Sequence, residues 1–179
     1  MKMLSKESDM FNVAILTVSD KGSQGKREDK SGEAIKEIFT QMDSRVADYA
    51  IVPDERELIK KKLVEWADGG KIDLIVTTGG TGLAPRDVTP EATLDVVDRI
   101  APGFAEVMRA ESLKKTPHAM LSRAVAGVRK RTLIINLPGS PKAVRECLDA
   151  VKPALPHAIE TLRGEAVECA DAQKGRGVR

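Results

Sequence analysis

Apolar positions along the chain fall into two rhythms. Residues 12–18 (NVAILTV) and 72–78 (IDLIVTT) are near-continuous apolar runs, as strands covered on both faces should be. Residues 31–41 instead place Ala34, Ile35, Ile38 and Phe39 at helical spacing, with Ser31 as N-cap. Residues 49–52 read as a second, short strand. Asp54, Glu55, Arg56 and Glu57 match a capping box. They open a helix in which Leu58, Ile59, Leu63 and Trp66 share one face, and Gly69 and Gly70 end it. The order so far is strand, helix, strand, helix, strand. It predicts a parallel sheet with right-handed crossovers and helices on both faces.

Further on, Thr89 as N-cap and Pro90 in the first helical position predict a helix to about Arg99. Pro102 and Gly103 precede another over residues 104–115. Residues 121–128 and 132–137 are strand-like runs separated by residues 129–131, consistent with an antiparallel hairpin. Ser140 and Pro141 open a last helix, which Pro153 and Pro156 break or bend before it continues to about Leu162. The expected fold class is α/β: three layers, α/β/α, with a mostly parallel, Rossmann-like sheet and one antiparallel hairpin. One domain is expected over residues 12–165. A ragged stretch, 1–11, precedes it, and a tail, 166–179, glycine-rich and charged from Ala170, reads as disordered.

Composition narrows the function classes. The 29 basic and 27 acidic residues leave a net charge of +2, and the aromatics are three Phe, one Tyr and one Trp. Neither a polyanion field nor a base-stacking platform is suggested, so nucleic acid is not an expected partner. Cys147 and Cys169 fit neither a zinc pattern nor a redox pair, and His118 and His157 have no ligand-type neighbours at metal spacing. No apolar run is long enough to cross a membrane, and nothing upstream of the first strand resembles a signal peptide. A cytoplasmic enzyme or binding protein is the expectation.

Chemistry concentrates in residues 72–93 (IDLIVTTGGTGLAPRDVTPEAT). A buried strand runs into Gly79, Gly80, Thr81 and Gly82, where backbone N–H groups can crowd around an anion beside a helix start. Three glycines in four residues exceed the needs of a plain turn. Asp87 lies too early to cap the following helix and would repel a phosphate unless a cation lay between them. It reads either as a Mg²⁺ ligand or as a salt-bridge partner of Arg86. Three further strand ends carry acceptors: Ser19 with Asp20, Asp54 after Pro53, and Gly139 with Ser140. In a parallel sheet all four share the C-terminal edge, where open α/β sheets bind ligands. Asp54 is open to two readings, a helix cap or a holder of metal-bound nucleotide. Ser140 reads as a cap, an anion contact, or both. Asn136, interrupting an apolar strand, is either a buried hydrogen-bond hub or a ligand contact. Lys26, Arg27 and Lys30 read as a solvated run or as steering charges.

Five ordered segments, TVSD (17–20), TTGGTG (77–82), PRDVTPEAT (85–93), LSRAVAG (121–127) and INLPGSP (135–141), resemble the molybdenum-cofactor biosynthesis family of MogA, MoaB and the G domain of the gephyrin-like plant and animal fusion proteins. The resemblance spans roughly residues 12–162 and is nearer to the MogA and G-domain versions at residues 52–55 (VPDE) and 85–90 (PRDVTP). It implies a molybdopterin adenylyltransferase, which moves AMP from Mg-ATP to the terminal phosphate of molybdopterin and releases pyrophosphate. It further implies Asp54 and Asp87 as catalytic residues and Mg²⁺ ligands. Ser19, Asp20, Gly79, Gly80, Thr81, Gly82, Ser122, Asn136, Gly139 and Ser140 are implied as pterin or nucleotide contacts. A homotrimer, and hand-over of the product to a molybdate-inserting protein of the MoeA type, are also implied. The competing expectation is a MoaB-like carrier that holds molybdopterin without adenylylating it. A general nucleotide-binding Rossmann protein fits poorly, because the first turn lacks G-x-G-x-x-G.

Overall fold

The two continuous apolar runs form the centre of the sheet, where β1 (Phe11–Val18) pairs in parallel with β3 (Leu74–Thr78). The computed structural model describes residues 10–164, so the tail 166–179, Cys169 and most of the ragged 1–11 stretch lie outside the described residues. Around the central pair, β2 (Ser44–Val52) adds parallel to β1 and β6 (Thr132–Leu137) adds parallel to β3. The far edge is antiparallel, with β5 (Ala126–Arg129) against β6 and the two-residue β4 (Arg99–Ile100) against β5. The spatial order is β2-β1-β3-β6-β5-β4.

Strand alternation sorts the core into two layers. Val13 and Ile15 of β1 face one layer with Leu74, Val76, Leu133 and Ile135. There they meet α2 (Lys30–Thr40), α5 (Pro102–Leu113), α6 (Pro141–Val151) and α7 (Leu155–Arg163) through Phe39, Met108, Leu148 and Ile159. Ala14, Leu16 and Val18 face the other layer with Ile75 and Ile134. They pack on α3 (Arg56–Asp68) through Ile59, Leu63 and Trp66, and on α4 (Thr89–Leu94) through Ala92. The architecture is therefore the three-layer α/β/α arrangement, with a mostly parallel six-stranded sheet. A 3₁₀ turn at Lys152–Ala154, containing Pro153, makes the break between α6 and α7.

Several local expectations are corrected. A short helix, α1 (Asp20–Ser23), follows β1 where a loop was expected. Asp29, not Ser31, caps α2 by accepting from the Gly32 N–H at 2.9 Å. The second strand begins at Ser44, not near Tyr49, and its polar residues are tolerated because β2 is an edge strand. The helix after the glycine turn stops at Leu94, because the chain turns to supply edge strand β4. Residues 117–121 form a 3₁₀ turn (Pro117–Leu121), so Ser122 follows a turn and does not lie in a hairpin strand.

Candidate functional site

Parallel β1, β2, β3 and β6 bring four strand ends to one edge of the sheet. A cleft of about 650 Å³ opens there, lined by Ser19, Asp54, Gly79, Gly80 and Gly139 and by Arg27, Asp29 and Lys30. It lies where the chain order reverses across β1 and β3, the usual ligand position in open α/β sheets.

Backbone geometry explains the glycines. Gly79 and Gly80 adopt φ of 96° and 65°, a region that L side chains rarely enter. A Cβ on Gly79 would stand 2.3 Å from the Val18 carbonyl oxygen, and one on Gly80 would stand 2.4 Å from Thr89 Oγ1. The turn thus lies directly against the end of β1. The Gly79 N–H donates to the Leu137 carbonyl at 3.2 Å, so it closes the sheet and is not free for an anion. Thr89 sits one position inside α4 rather than at its cap, and its hydroxyl donates to the Gly79 carbonyl at 2.9 Å. Ser19 accepts from the Gly22 N–H and starts α1, while Ser140 accepts from the Ala143 N–H and starts α6.

Asp54 does not cap α3; Glu55 occupies that position without a side-chain bond. The Asp54 carboxylate instead accepts from the Asp20 N–H at 2.8 Å, and the Asp20 carboxylate accepts from the Asp54 N–H at 3.0 Å. This reciprocal clasp joins the ends of β1 and β2. Burial pushes the Asp54 carboxyl above the usual range. The Asp20 N–H and the Arg86 charge oppose that shift, whereas the charges of Asp20 and Asp87 add to it. Arg86 pairs with Asp20, not with its neighbour Asp87, through Nε at 2.6 Å and Nη2 at 2.7 Å. That contact holds Asp20 below its ordinary pKa. The Asp87 carboxylate accepts from the Ala84 N–H at 3.0 Å within its own turn.

Of the expected site residues, Ser19, Asp54, Gly79, Gly80 and Gly139 line the cleft, whereas Asp20, Asp87 and Ser140 stand just outside its lining and the others sit elsewhere. Asn136 is fully buried and its amide is spent: Nδ2 donates to Thr77 Oγ1 at 3.0 Å and Thr93 Oγ1 at 2.9 Å, and Oδ1 accepts from the Val125 N–H at 3.3 Å. Of its two readings, the geometry matches the hydrogen-bond hub. Ser122 borders a separate, mostly apolar cavity of about 210 Å³ with Met108, Ser112 and Cys147. Thr81 is buried and Gly82 partly so, and neither borders the main cleft.

Asp29 was not foreseen. It caps α2 and also accepts from the Thr17 and Tyr49 hydroxyls, each at 2.5 Å. Burial alone would raise its pKa, but bonds from Thr17, Tyr49, Gly32 and Ser31 outweigh burial and leave it lowered. Its position two residues before Ser31 was the available signal. Arg27 and Lys30 face the cleft, as steering charges would.

Among the described residues, no three His, Cys, Asp or Glu side chains stand close enough to form a metal cage. Asp54 and Asp87 nevertheless supply hard oxygen donors of the kind Mg²⁺ takes one or two at a time, completing its shell with water and phosphate. The desolvated Asp54 charge would gain from such a cation. The donor set therefore fits.

Residues 14–157 match the family model described as a probable molybdopterin binding domain. The chain is 48% identical over 160 residues to the molybdopterin adenylyltransferase of Helicobacter pylori strain J99, covering 88% of this chain and 91% of that one. It is 41% identical over 179 residues to the molybdopterin adenylyltransferase of Escherichia coli K12, covering 89% of each. Among solved structures, the molybdopterin biosynthesis enzyme MoaB of Thermus thermophilus superposes with a TM-score of 0.82 at 59% identity, covering 87% of this chain and 98% of that one. With the sheet order, the glycine turn and the paired strand ends already in place, the chain belongs to the molybdopterin-binding domain family of molybdenum-cofactor biosynthesis.

Proposed function

We propose that this protein is a molybdopterin adenylyltransferase. It transfers AMP from Mg-ATP to the terminal phosphate of molybdopterin. The observation that carries the reading is the meeting of the Gly79–Gly80 turn with Asp54 on one strand-end cleft, and with Asp87 close enough to perturb Asp54. A plain pterin carrier has no evident use for two carboxylates, Asp54 and Asp87, held by backbone N–H groups rather than by direct ion pairs beside that turn.

The acceptor phosphate oxygen attacks the α-phosphorus of ATP, the bond to the bridging oxygen breaks, and pyrophosphate leaves. Such transfers need positioning and charge neutralisation more than covalent help. Asp54 and Asp87 would hold Mg²⁺, which when bound supplies neutralisation of phosphate charge. The glycine turn admits phosphates close to the backbone, and Ser19 and Gly139 line the cleft where the acceptor would sit, with Ser140 next in the chain. Arg27 and Lys30 attract the anionic substrates. The same reading, through the family resemblance, carries a homotrimer, hand-over to a molybdate-inserting partner of the MoeA type, and a cytoplasmic setting.

Incubation with molybdopterin, Mg²⁺ and radiolabelled ATP tests the proposal. Adenylylated pterin and pyrophosphate are expected to form together, and Asp87→Asn is expected to lower turnover by about 10²-fold or more, the scale of losing one charge-stabilising group. Pterin binding without pyrophosphate release would identify a carrier instead.

A further inference from the structure

The segment between β3 and α4 that carries Asp87 has little structure of its own. Leu83, Ala84, Pro85 and Arg86 are exposed. The turn is closed internally by the Ala84 N–H donating to Asp87 Oδ2 and the Asp87 N–H donating to the Ala84 carbonyl. That turn and the Arg86–Asp20 pair hold the middle of the segment but not its two ends, and a misplacement of about an ångström at a reacting centre is poorly tolerated. A residue outside the segment supplies the missing constraint.

We propose that Arg123 is a positioning residue that staples both ends of this loop and thereby aims Asp87. Its backbone N–H donates to the Thr81 carbonyl at 2.9 Å. Its Nε donates to the Gly82 carbonyl at 2.7 Å, and Nη2 donates to the Asp87 carbonyl at 2.5 Å. Nη1 pairs with the Glu91 carboxylate in the first turn of α4. One planar fork therefore spans the entry of the loop, its exit and the helix behind it. A lysine ammonium, a compact charge without the fork, cannot reproduce that set.

The staple is itself anchored. Arg109 of α5 donates to the carbonyls on either side of Arg123, at 3.4 Å to Ser122 and 2.8 Å to Ala124. Asn136 of β6 accepts from the Val125 N–H, two residues beyond Arg123, and its amide reaches Thr93 of α4. Ser122 and Asn136, which lie away from the cleft, are thus part of the frame that holds Arg123. Glu91 keeps its second carboxylate oxygen buried without a partner among the described residues, so loss of the arginine would also leave an unbalanced charge there. Arg123→Ala consequently mixes folding with positioning, and a gentler variant is needed.

This inference rests on Asp87 serving nucleotidyl transfer, and the test separates the two. Arg123→Lys and Glu91→Gln are made in the full chain and compared with Asp87→Asn. Thermal melting, AMP-transfer kinetics, Mg²⁺ titration and amide hydrogen exchange over residues 80–88 are measured. Arg123→Lys is expected to remain folded and lose at least about tenfold in kcat with less than about threefold change in KM for ATP. Its half-saturating Mg²⁺ concentration rises, and its loop amides exchange at least about tenfold faster. Glu91→Gln, which spares the carbonyl contacts, is expected to change kcat by less than about threefold. A wild-type kcat in Arg123→Lys, or an activity loss that merely follows the folded fraction, overturns the proposal. If wild-type protein releases no pyrophosphate, the nucleotidyl-transfer reading fails by itself. Loop exchange then still decides whether Arg123 is the staple, and unchanged exchange in Arg123→Lys overturns it.

Discussion

Burial raises the pKa of Asp54 because the carboxylate loses water and receives the Asp20 N–H and the Arg86 charge in return, while Asp20 and Asp87 add like charge. Its ionised form is therefore disfavoured by folding. The penalty is present above the raised folded pKa and disappears as pH falls below the unfolded value. Asp29 has the opposite sign. Burial would raise its pKa too, but the hydroxyls of Thr17 and Tyr49 and the Gly32 N–H overcome that and lower it. Its contribution is present above the unfolded pKa and is lost as pH falls through the lowered folded one. At pH 7, Asp54→Asn is expected to raise the melting temperature, while AMP transfer falls by about 10²-fold or more. Asp29→Asn is expected to lower the melting temperature. Scanning calorimetry of both variants checks the signs, and a shift of both in the same direction would refute this account of the two carboxylates.

At the level of elements, the glycine turn shows how a local sequence becomes a constraint between strands. Gly79 combines φ of 96° with a virtual Cβ 2.3 Å from the Val18 carbonyl, so neither the backbone nor the neighbour can yield cheaply. Gly79→Ala is expected to cost about 2 kcal/mol or more in denaturant unfolding. Gly139→Ala, whose Cβ would meet Gly79 Cα at 3.4 Å, should cost far less. The turn was legible from three glycines after an apolar strand, as were the strand-end convergence and both core helices before it. What local spacing rules misplaced were the caps. Asp54 is committed to Asp20, distant in sequence, and Asp29, although it makes the local cap bond to Gly32, shares its carboxylate with Thr17 and Tyr49. A capping pattern sees three residues along the chain and nothing across the sheet. Arg123 was hidden for the same reason, since most of its partners are carbonyls and carry no side-chain signature. Asn136 was visible as an anomaly in an apolar strand, but its two threonine partners come from β3 and α4. Periodicity cannot bring those together.

Across the whole molecule, one sheet edge carries the chemistry and the other carries closure of the fold. The site edge gathers loops from both faces: α1 and α2 follow β1, α3 follows β2, α4 follows β3 and α6 follows β6. At the opposite end, Arg163 of α7 grips Asp73 through Nε at 3.0 Å and Nη2 at 2.8 Å, and Arg129 grips Asp68. The Arg129 guanidinium, with Lys130 beside it, holds the Asp68 carboxyl at about 2. That end keeps its charge pairs without any ligand, whereas the cleft leaves Asp54 short of positive charge. Binding of Mg-ATP should therefore suppress local opening at the cleft end. At about 100 times its dissociation constant the ligand adds about 2.7 kcal/mol to stability, which in a domain of this size corresponds to a rise of about 5–10 °C in melting temperature. Exchange through local opening should slow over residues 19–31, 78–89 and 139–141 and stay unchanged around Asp68, Asp73 and Arg163, while amides that exchange only through global unfolding slow throughout. Protection spread evenly over both ends would mean that the ligand acts on the whole sheet rather than at its strand ends.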